Sequence, residues 1–252
     1  MSERQFILTL DVDWAPDFMI RETAEILLKH RVSATWFVTH ASPAIDELRQ
    51  HRELFELAIH PNFLPGSTHG SDPRSVLEHC LELVPEAFSM RTHGLVQSSH
   101  LFFQVMQETP VRVDVSTFLP VRGSSEPAFF WRRGTQPLMK LPFVWEDDFE
   151  FENPQRTWDG QAWIAGREGL NVLGFHPVHL ALNSPDEDPY FALKRRRPHL
   201  TSVLPEDVKG LRHEGAGAQS FFRDVVAYLA ANPAEFTTVK DFAMRHFSKL
   251  PA

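Results

Sequence analysis

Leu8-Thr9-Leu10-Asp11-Val12-Asp13-Trp14 is the stretch on which the reading of this chain turns. The apolar run from Phe6 to Leu10 has the composition of a buried β-strand. Two acids spaced i, i+2 follow it, and Trp14, Ala15 and Pro16 then stop it. Side chains two apart on a strand share a face, so Asp11 and Asp13 are expected to point the same way from a strand end. Two carboxylates that close repel one another and need an offsetting charge. A metal ion taken by one acid, with the other left as a base, supplies it. An Asx turn at a strand end is the plainer reading.

Outward from this stretch, the pattern alternates. Ile20 to His30 carries a helical stripe, and Val32 to Val38 reads as a second strand. Ser42-Pro43 opens a helix, and Leu57-Ala58-Ile59 is a third strand. Strand, helix, strand, helix, strand implies parallel pairing with right-handed crossovers. Further strands are expected near Ala87–Met90, Val111–Val115, Leu138–Val144 and Asn171–Phe175. Helices are expected over Leu101–Met106 and Ser220–Ala231, and a short strand followed by a helix within Phe236–Phe247. Asn183 to Gln219 is long, polar and proline-containing, and is expected to be a loop. Its Lys194-Arg195-Arg196-Arg197 run is either a solvated face or a clamp for a phosphate or acidic sugar. The expected architecture is α/β, an irregular (β/α) barrel of about seven parallel strands forming one domain over residues 1–252.

Composition narrows the function. The 252 residues carry a net charge of -8, which argues against a general nucleic-acid binder. A lone cysteine, Cys80, excludes an internal disulfide framework and a thiolate metal site, and its place on an apolar stripe makes it a core residue. No run approaches the length of a membrane span, and the opening MSERQ leads straight into a strand, so a cytoplasmic protein is expected. The 13 histidines are the unusual feature, because they supply nitrogen ligands. Acids, arginine and histidines recur where successive strands end: Asp11 and Asp13, His60, Arg91 and His93, Glu146 to Asp148, His176 and His179. In parallel α/β barrels those ends converge on one mouth.

These motifs, in this order, resemble the polysaccharide deacetylases of carbohydrate esterase family 4. Thr9-Leu10-Asp11-Val12-Asp13 is similar to that family's Thr-Phe-Asp-Asp run in a spaced form. Ala34-Thr35-Trp36-Phe37-Val38 resembles its second strand, and Glu56-Leu57-Ala58-Ile59-His60 the opening of its metal-histidine motif. Arg91-Thr92-His93 stands where the family has Arg-Xaa-Pro. Gly174-Phe175-His176-Pro177 stands where a strand ends in the catalytic histidine, and Phe236 to Ala243 resembles the closing strand and helix. The resemblance implies a metal-dependent hydrolase that removes an acetyl group from an N-acetylated sugar, using one divalent ion, zinc by expectation. It implies Asp13 as a metal ligand, Asp11 as general base, His176 as the acid that protonates the leaving amine, and Arg91 as the partner of Asp11. One of Glu146, Asp147 and Asp148 would orient His176 or Arg91.

The chain departs from the family at the metal motif. His60 is followed by Pro61-Asn62-Phe63-Leu64, with no histidine four residues on; the next is His69. Asp13, His60 and His69 are favoured as the ligand set, with Asn62 an alternative oxygen donor and His93 a further candidate. Trp14, Asn62, His93, Asp147 and His179 are read as substrate-binding or supporting residues. The partner is an N-acetylated sugar or sugar-containing intermediate of surface-polysaccharide synthesis, with no nucleic acid. Two other readings compete: an amidohydrolase of a small C–N substrate on the same fold, and a sugar-binding protein without catalysis.

Overall fold

β-Branched and large apolar residues fill the first strand because both of its faces are covered, as parallel sheets require. In a computed structural model describing residues 4–120 and 125–249, β1 (Gln5–Asp11) has Phe6, Ile7, Leu8 and Leu10 fully buried. Met1 to Glu3, the start of the chain read above as lacking a leader, lie outside the described residues. α1 (Asp17–His30) crosses over to β2 (Ala34–Val38), and α2 (Pro43–Arg49) to β3 (Phe55–Ile59). Ser42 caps α2 through a hydrogen bond from the Ile45 backbone, with Pro43 in the first turn. Asp72 caps α3 (Pro73–Leu83) and forms a capping box with Ser75. The chain continues through β4 (Ser89–Met90), α4 (Ser99–Glu108), β5 (Val113–Asp114), β6 (Ala128–Phe130), β7 (Leu138–Lys140) and β8 (Trp145–Glu146). After α5 (Asp147–Phe151) and α6 (Gly160–Ala165) comes β9 (Leu170–Phe175). α7 (Pro177–Leu182), α8 (Asp188–Arg196), α9 (Ala218–Ala231) and α10 (Val239–Phe247) complete it.

Among the described residues the strands form one nine-stranded sheet, ordered β6-β7-β5-β4-β3-β2-β1-β9-β8 and curled into a half-barrel. Every neighbouring pair is parallel except β6 with β7. The segment holding β7 and β8 explains how this meets the expectation of about seven strands. Residues 138–140 pair with β5, Phe143 bridges Phe118, and Trp145-Glu146 pair with β9. One extended stretch thus pairs with β5 toward one end of the curled sheet and with β9 at the other, and counted as a single pass it leaves seven parallel strands. The antiparallel β6 is the addition the sequence did not signal.

Two other expectations change. Near Phe236 there is a single parallel bridge to Phe6 in place of a strand. The segment 183–219, expected to be a loop, contains α8 and a 3-10 turn at Leu200–Ser202. Leu193, Leu200, Val203 and Val208 are buried there, too widely spaced to show as a period. Asn183 holds the segment by donating to the carbonyls of His213 and Gly215, both at 2.9 Å. The basic run divides. Arg197 pairs with Asp207 at 2.8 Å, Arg196 donates to the Asp207 carbonyl, and Lys194 lines the main cavity.

Candidate active site

All the chemistry-bearing side chains gather at the C-terminal ends of the parallel strands, where α/β folds place their sites. Asp11 is the last residue of β1. Asp13 is not on the strand. The chain turns tightly through Val12 to Ala15, closed by an Ala15 N–H to Val12 carbonyl bond of 2.8 Å. Asp13 (φ 42°) and Trp14 (φ 56°) both occupy the left-handed region. Two successive non-glycine residues there cost about 1–3 kcal/mol each, which the surroundings must hold in place. The Trp14 N–H donates to Thr39 Oγ1 at 2.9 Å, and the Val12 N–H to the Phe37 carbonyl. The turn, and not strand alternation, brings Asp13 beside Asp11.

His60 extends β3, its N–H bonding to the Val38 carbonyl, and His93 follows β4. Three ligand atoms then converge. His60 Nε2 lies 3.1 Å from Asp13 Oδ1, His93 Nδ1 lies 3.2 Å from that same oxygen, and the two nitrogens are 3.4 Å apart. A tetrahedral ion bound at zinc–nitrogen and zinc–oxygen lengths spaces its ligands about 3.3 Å apart. The three atoms therefore fit one face of such a site. His60 Nδ1 is buried without a hydrogen-bond partner among the described residues. Burial opposes ionisation of Asp13, but hydrogen bonds from His60 and His93 outweigh it and hold the carboxyl well below its ordinary range.

His69, favoured as the third ligand from its place in the chain, is not brought into this group. Its Nε2 lies 2.8 Å from the Thr39 carbonyl, which can only accept, so that nitrogen carries the proton. Its Nδ1 accepts from the Asn62 N–H at 3.2 Å and faces Cys80 Sγ at 3.4 Å. No lone pair is left for an ion, and burial pushes the ring down to a pKa of about 4. Asn62 also turns inward on the loop, its Oδ1 accepting from the Leu64 N–H. Trp14 packs across both rings, 5.4 Å from His69 and 5.2 Å from His93. Its indole is a spacer that keeps the two histidines apart.

Arg91 is fully buried and organises the other side of Asp11. Its Nη1 donates to Asp11 Oδ1 at 2.9 Å, Nη2 to Thr9 Oγ1 at 2.9 Å, and Nε to the Val115 carbonyl at 3.2 Å. The guanidinium is sandwiched between Phe37 and Phe143. Asp11 Oδ2 stays free, 3.9 Å from His60 Nε2 and 4.0 Å from His176 Nε2.

The three successive acids at the end of β8 each take a different partner. Glu146 lies 3.7 Å from Arg91, and burial pushes its carboxyl up to about 8 against the pull of His176 and Arg91. Gly174 makes room here, since a Cβ would fall 2.8 Å from Glu146 Oε1 and 3.2 Å from Arg91 Nη1. Asp147 holds His176 twice, through the ring Nδ1 at 2.6 Å and the backbone N–H at 2.9 Å. Burial opposes a charged His176, but Asp148, Asp147 and Glu146 outweigh it and raise the imidazole well above its ordinary value. Asp148 reaches His179 Nε2 at 2.7 Å. Sequence reasoning had no way to divide this run, because three adjacent acids look the same until a helix start at Asp147 fans them apart.

These groups line a cavity of about 930 Å³ whose outer wall includes Tyr190, Phe191, Lys194 and His199. Lys194 comes from the basic run read above as a solvated face or a clamp, whereas Tyr190, Phe191 and His199 were missed, since they fall in the segment expected to be a loop.

Comparison with known proteins gives the family. Residues 8–194 match the family model WbmS-like polysaccharide deacetylase. The chain belongs to that family. WbmS-like membership makes it a carbohydrate deacetylase, a hydrolase acting on N-acetyl groups. A protein from Bordetella bronchiseptica described as a polysaccharide deacetylase involved in O-antigen biosynthesis is similar in structure. The match has a TM-score of 0.77 and 30% identity, over 90% of this chain and 91% of that one. The peptidoglycan deacetylase PdaC from Bacillus subtilis shares the fold at a TM-score of 0.50 and 12% identity, over 98% of this chain and 93% of its own. The Xyl-CE4 domain of a multidomain xylanase from the hindgut metagenome of Trinervitermes trinervoides also shares it, at 0.50 and 10%, over 97% and 92%. No curated protein matches this chain.

Proposed function

We propose that this WbmS-like chain removes the acetyl group from an N-acetylated sugar in an intermediate of surface-polysaccharide synthesis. One divalent ion, zinc, would be held by Asp13, His60 and His93. The observation that carries this reading is the convergence of those three donor atoms between Asp11 and His176. The set replaces the expected one by exchanging His69 for His93.

The ion, when bound, polarises the acyl carbonyl and acidifies the attacking water. The protein's own groups do the rest. Asp11, fixed by Arg91 through Oδ1, uses its free Oδ2 to take a proton from the water. Asp148, Asp147 and Glu146 favour the imidazolium form of His176, whose Nδ1–H donates to Asp147 while Nε2 carries the second proton. It gives that proton to the departing amine. The two groups stand 4.0 Å apart, so the nucleophile and the leaving nitrogen fit on neighbouring sides of one carbonyl carbon. Asp147 holds the ring in the tautomer that leaves Nε2 directed at the cavity.

The cavity, at about 930 Å³, is at the upper end of ligand pockets and has room for a sugar with an appended group. The relative from Bordetella bronchiseptica, described as acting in O-antigen biosynthesis, supports the choice of pathway class. No helix among the described residues is long and apolar enough to cross a membrane. A cytoplasmic site of action fits a nucleotide-linked or lipid-linked substrate.

The test is product analysis. Zinc-loaded protein is expected to release acetate and a free amine from a nucleotide-linked N-acetyl sugar, with Asp11→Asn about 10²–10⁴-fold slower. Acetate release from preformed polymer alone would sink the biosynthetic substrate. No release from either would sink the hydrolase.

A further inference from the structure

Behind the first group of donors stands a second. Asp148, His176 and His179 offer one ligand atom each, all within 4.8 Å of one another. His176 Nε2 lies 3.9 Å from Asp148 Oδ2, and His179 Nε2 lies 2.7 Å from Asp148 Oδ1. Both imidazoles are buried and both have their other nitrogen engaged. His176 Nδ1 is held by Asp147 at 2.6 Å, and His179 Nδ1 faces Ser184 Oγ at 3.3 Å. Metal-binding histidines are oriented in this way, with the remote nitrogen tied to a carboxylate or hydroxyl. Phe151 and Tyr190 flank the His179 ring and fix its plane. Asp148 is half exposed, which gives an ion a path from the cavity.

Asp13 connects the two groups. Its Oδ1 belongs to the first set, while its Oδ2 faces His176 Nε2 at 3.8 Å. A carboxylate so placed can bridge two ions. The charge balance agrees: Asp11, Asp13 and Asp148 line the cavity with Asp147 buried against His176, while the cations near them among the described residues are Arg91, beside Asp11, and Lys194 in the outer wall. Neighbouring carboxylates in that excess favour a second cation.

We propose that Asp148, His176 and His179 form a second, weaker divalent-cation site that fills at excess zinc and draws His176 Nε2 away from proton transfer. Zinc in excess then inhibits the enzyme that stoichiometric zinc activates. The second site stands on its own donor atoms, and its inhibitory effect rests on the metal and His176 roles proposed above.

The experiment is a zinc titration of metal-depleted protein, followed by calorimetry and by elemental analysis after equilibrium dialysis. Wild type is expected to bind one ion tightly and a second at least tenfold more weakly. His179→Gln and, independently, the half-exposed Asp148→Asn are each expected to weaken the second ion by at least tenfold and leave the first in place. The zinc concentration that inhibits deacetylation should rise by the same factor in each. A single ion in wild type at every zinc concentration overturns the second site and leaves the first standing. A second ion unmoved by either substitution also overturns it. Wild type that binds no zinc overturns both.

Discussion

The loops that follow β3 and β4 both carry a histidine toward the cavity, and only one of them reaches the centre. On the first loop, His69 follows His60 by nine residues and sits in a closed net of hydrogen bonds with Thr39 and Asn62. On the second, His93 comes from a different strand and lands 3.4 Å from His60. β3 and β4 are hydrogen-bonded neighbours, so the residues just past their ends lie side by side. Proximity across a parallel sheet outranks proximity along the chain. The loop from 61 to 72 spends its polar groups on itself and on Thr39, whereas the turn after β4 directs Arg91 to Asp11 and His93 to Asp13.

That contrast has measurable consequences. The largest lies in stability. Arg91→Met removes the cation that faces Asp11, Thr9 and the Val115 carbonyl, and leaves two buried acids without it. Chemical denaturation should show a loss of about 3–5 kcal/mol. Asn62→Ala on the neighbouring loop removes a bond to the Leu64 N–H and should cost about 1 kcal/mol. Equal losses would mean that the two loops are equally integrated.

A smaller effect falls on the acid. Burial opposes charge on His176, and the carboxylates of Asp148, Asp147 and Glu146 outweigh it. A general acid works below its pKa, so the alkaline limb of the rate profile marks loss of its proton. Asp147→Asn removes one negative neighbour, which should move that limb to lower pH and cut kcat by about 10–100-fold. An unshifted limb would remove His176 from the role of acid.

The smallest effect separates His69 from the site altogether. Its ring is held neutral to a pKa of about 4 by burial, with help from His79, against an ordinary value of 6.5. As pH falls from 6.5 toward 4, the unfolded chain takes up a proton that the folded chain refuses. Stability present above 6.5 is therefore lost across that window. His69→Gln can keep both hydrogen bonds, and its stability should fall less steeply between those pH values. A slope identical to wild type would mean that the ring titrates freely in the fold.

Much of the frame was legible from residue pattern alone. β1, β2, β3 and β9 announce themselves as apolar runs, three of them leading into Asp11, His60 and His176-Pro177, and α2 begins at a readable Ser-Pro cap. Asp11, Arg91 and His176 were legible because each ends or directly follows a strand of the parallel sheet. What stayed hidden depends on three dimensions. The Asp13–Trp14 turn holds two residues at positive φ with no glycine to signal it. The stretch 138–146 pairs with two different strands and reads as one. The cavity wall at Tyr190 and Lys194 belongs to a helix whose apolar residues are too sparse to show a stripe.

In the proposed metal centre His93, and not His69, joins Asp13 and His60. The most direct measurement is tightly held zinc per chain in wild type, His60→Ala, His93→Ala and His69→Gln, after dialysis that strips weakly bound ions. About one ion is expected in wild type and in His69→Gln, with loss in His60→Ala and His93→Ala. An ion kept by His93→Ala and lost from His69→Gln would contradict that ligand set.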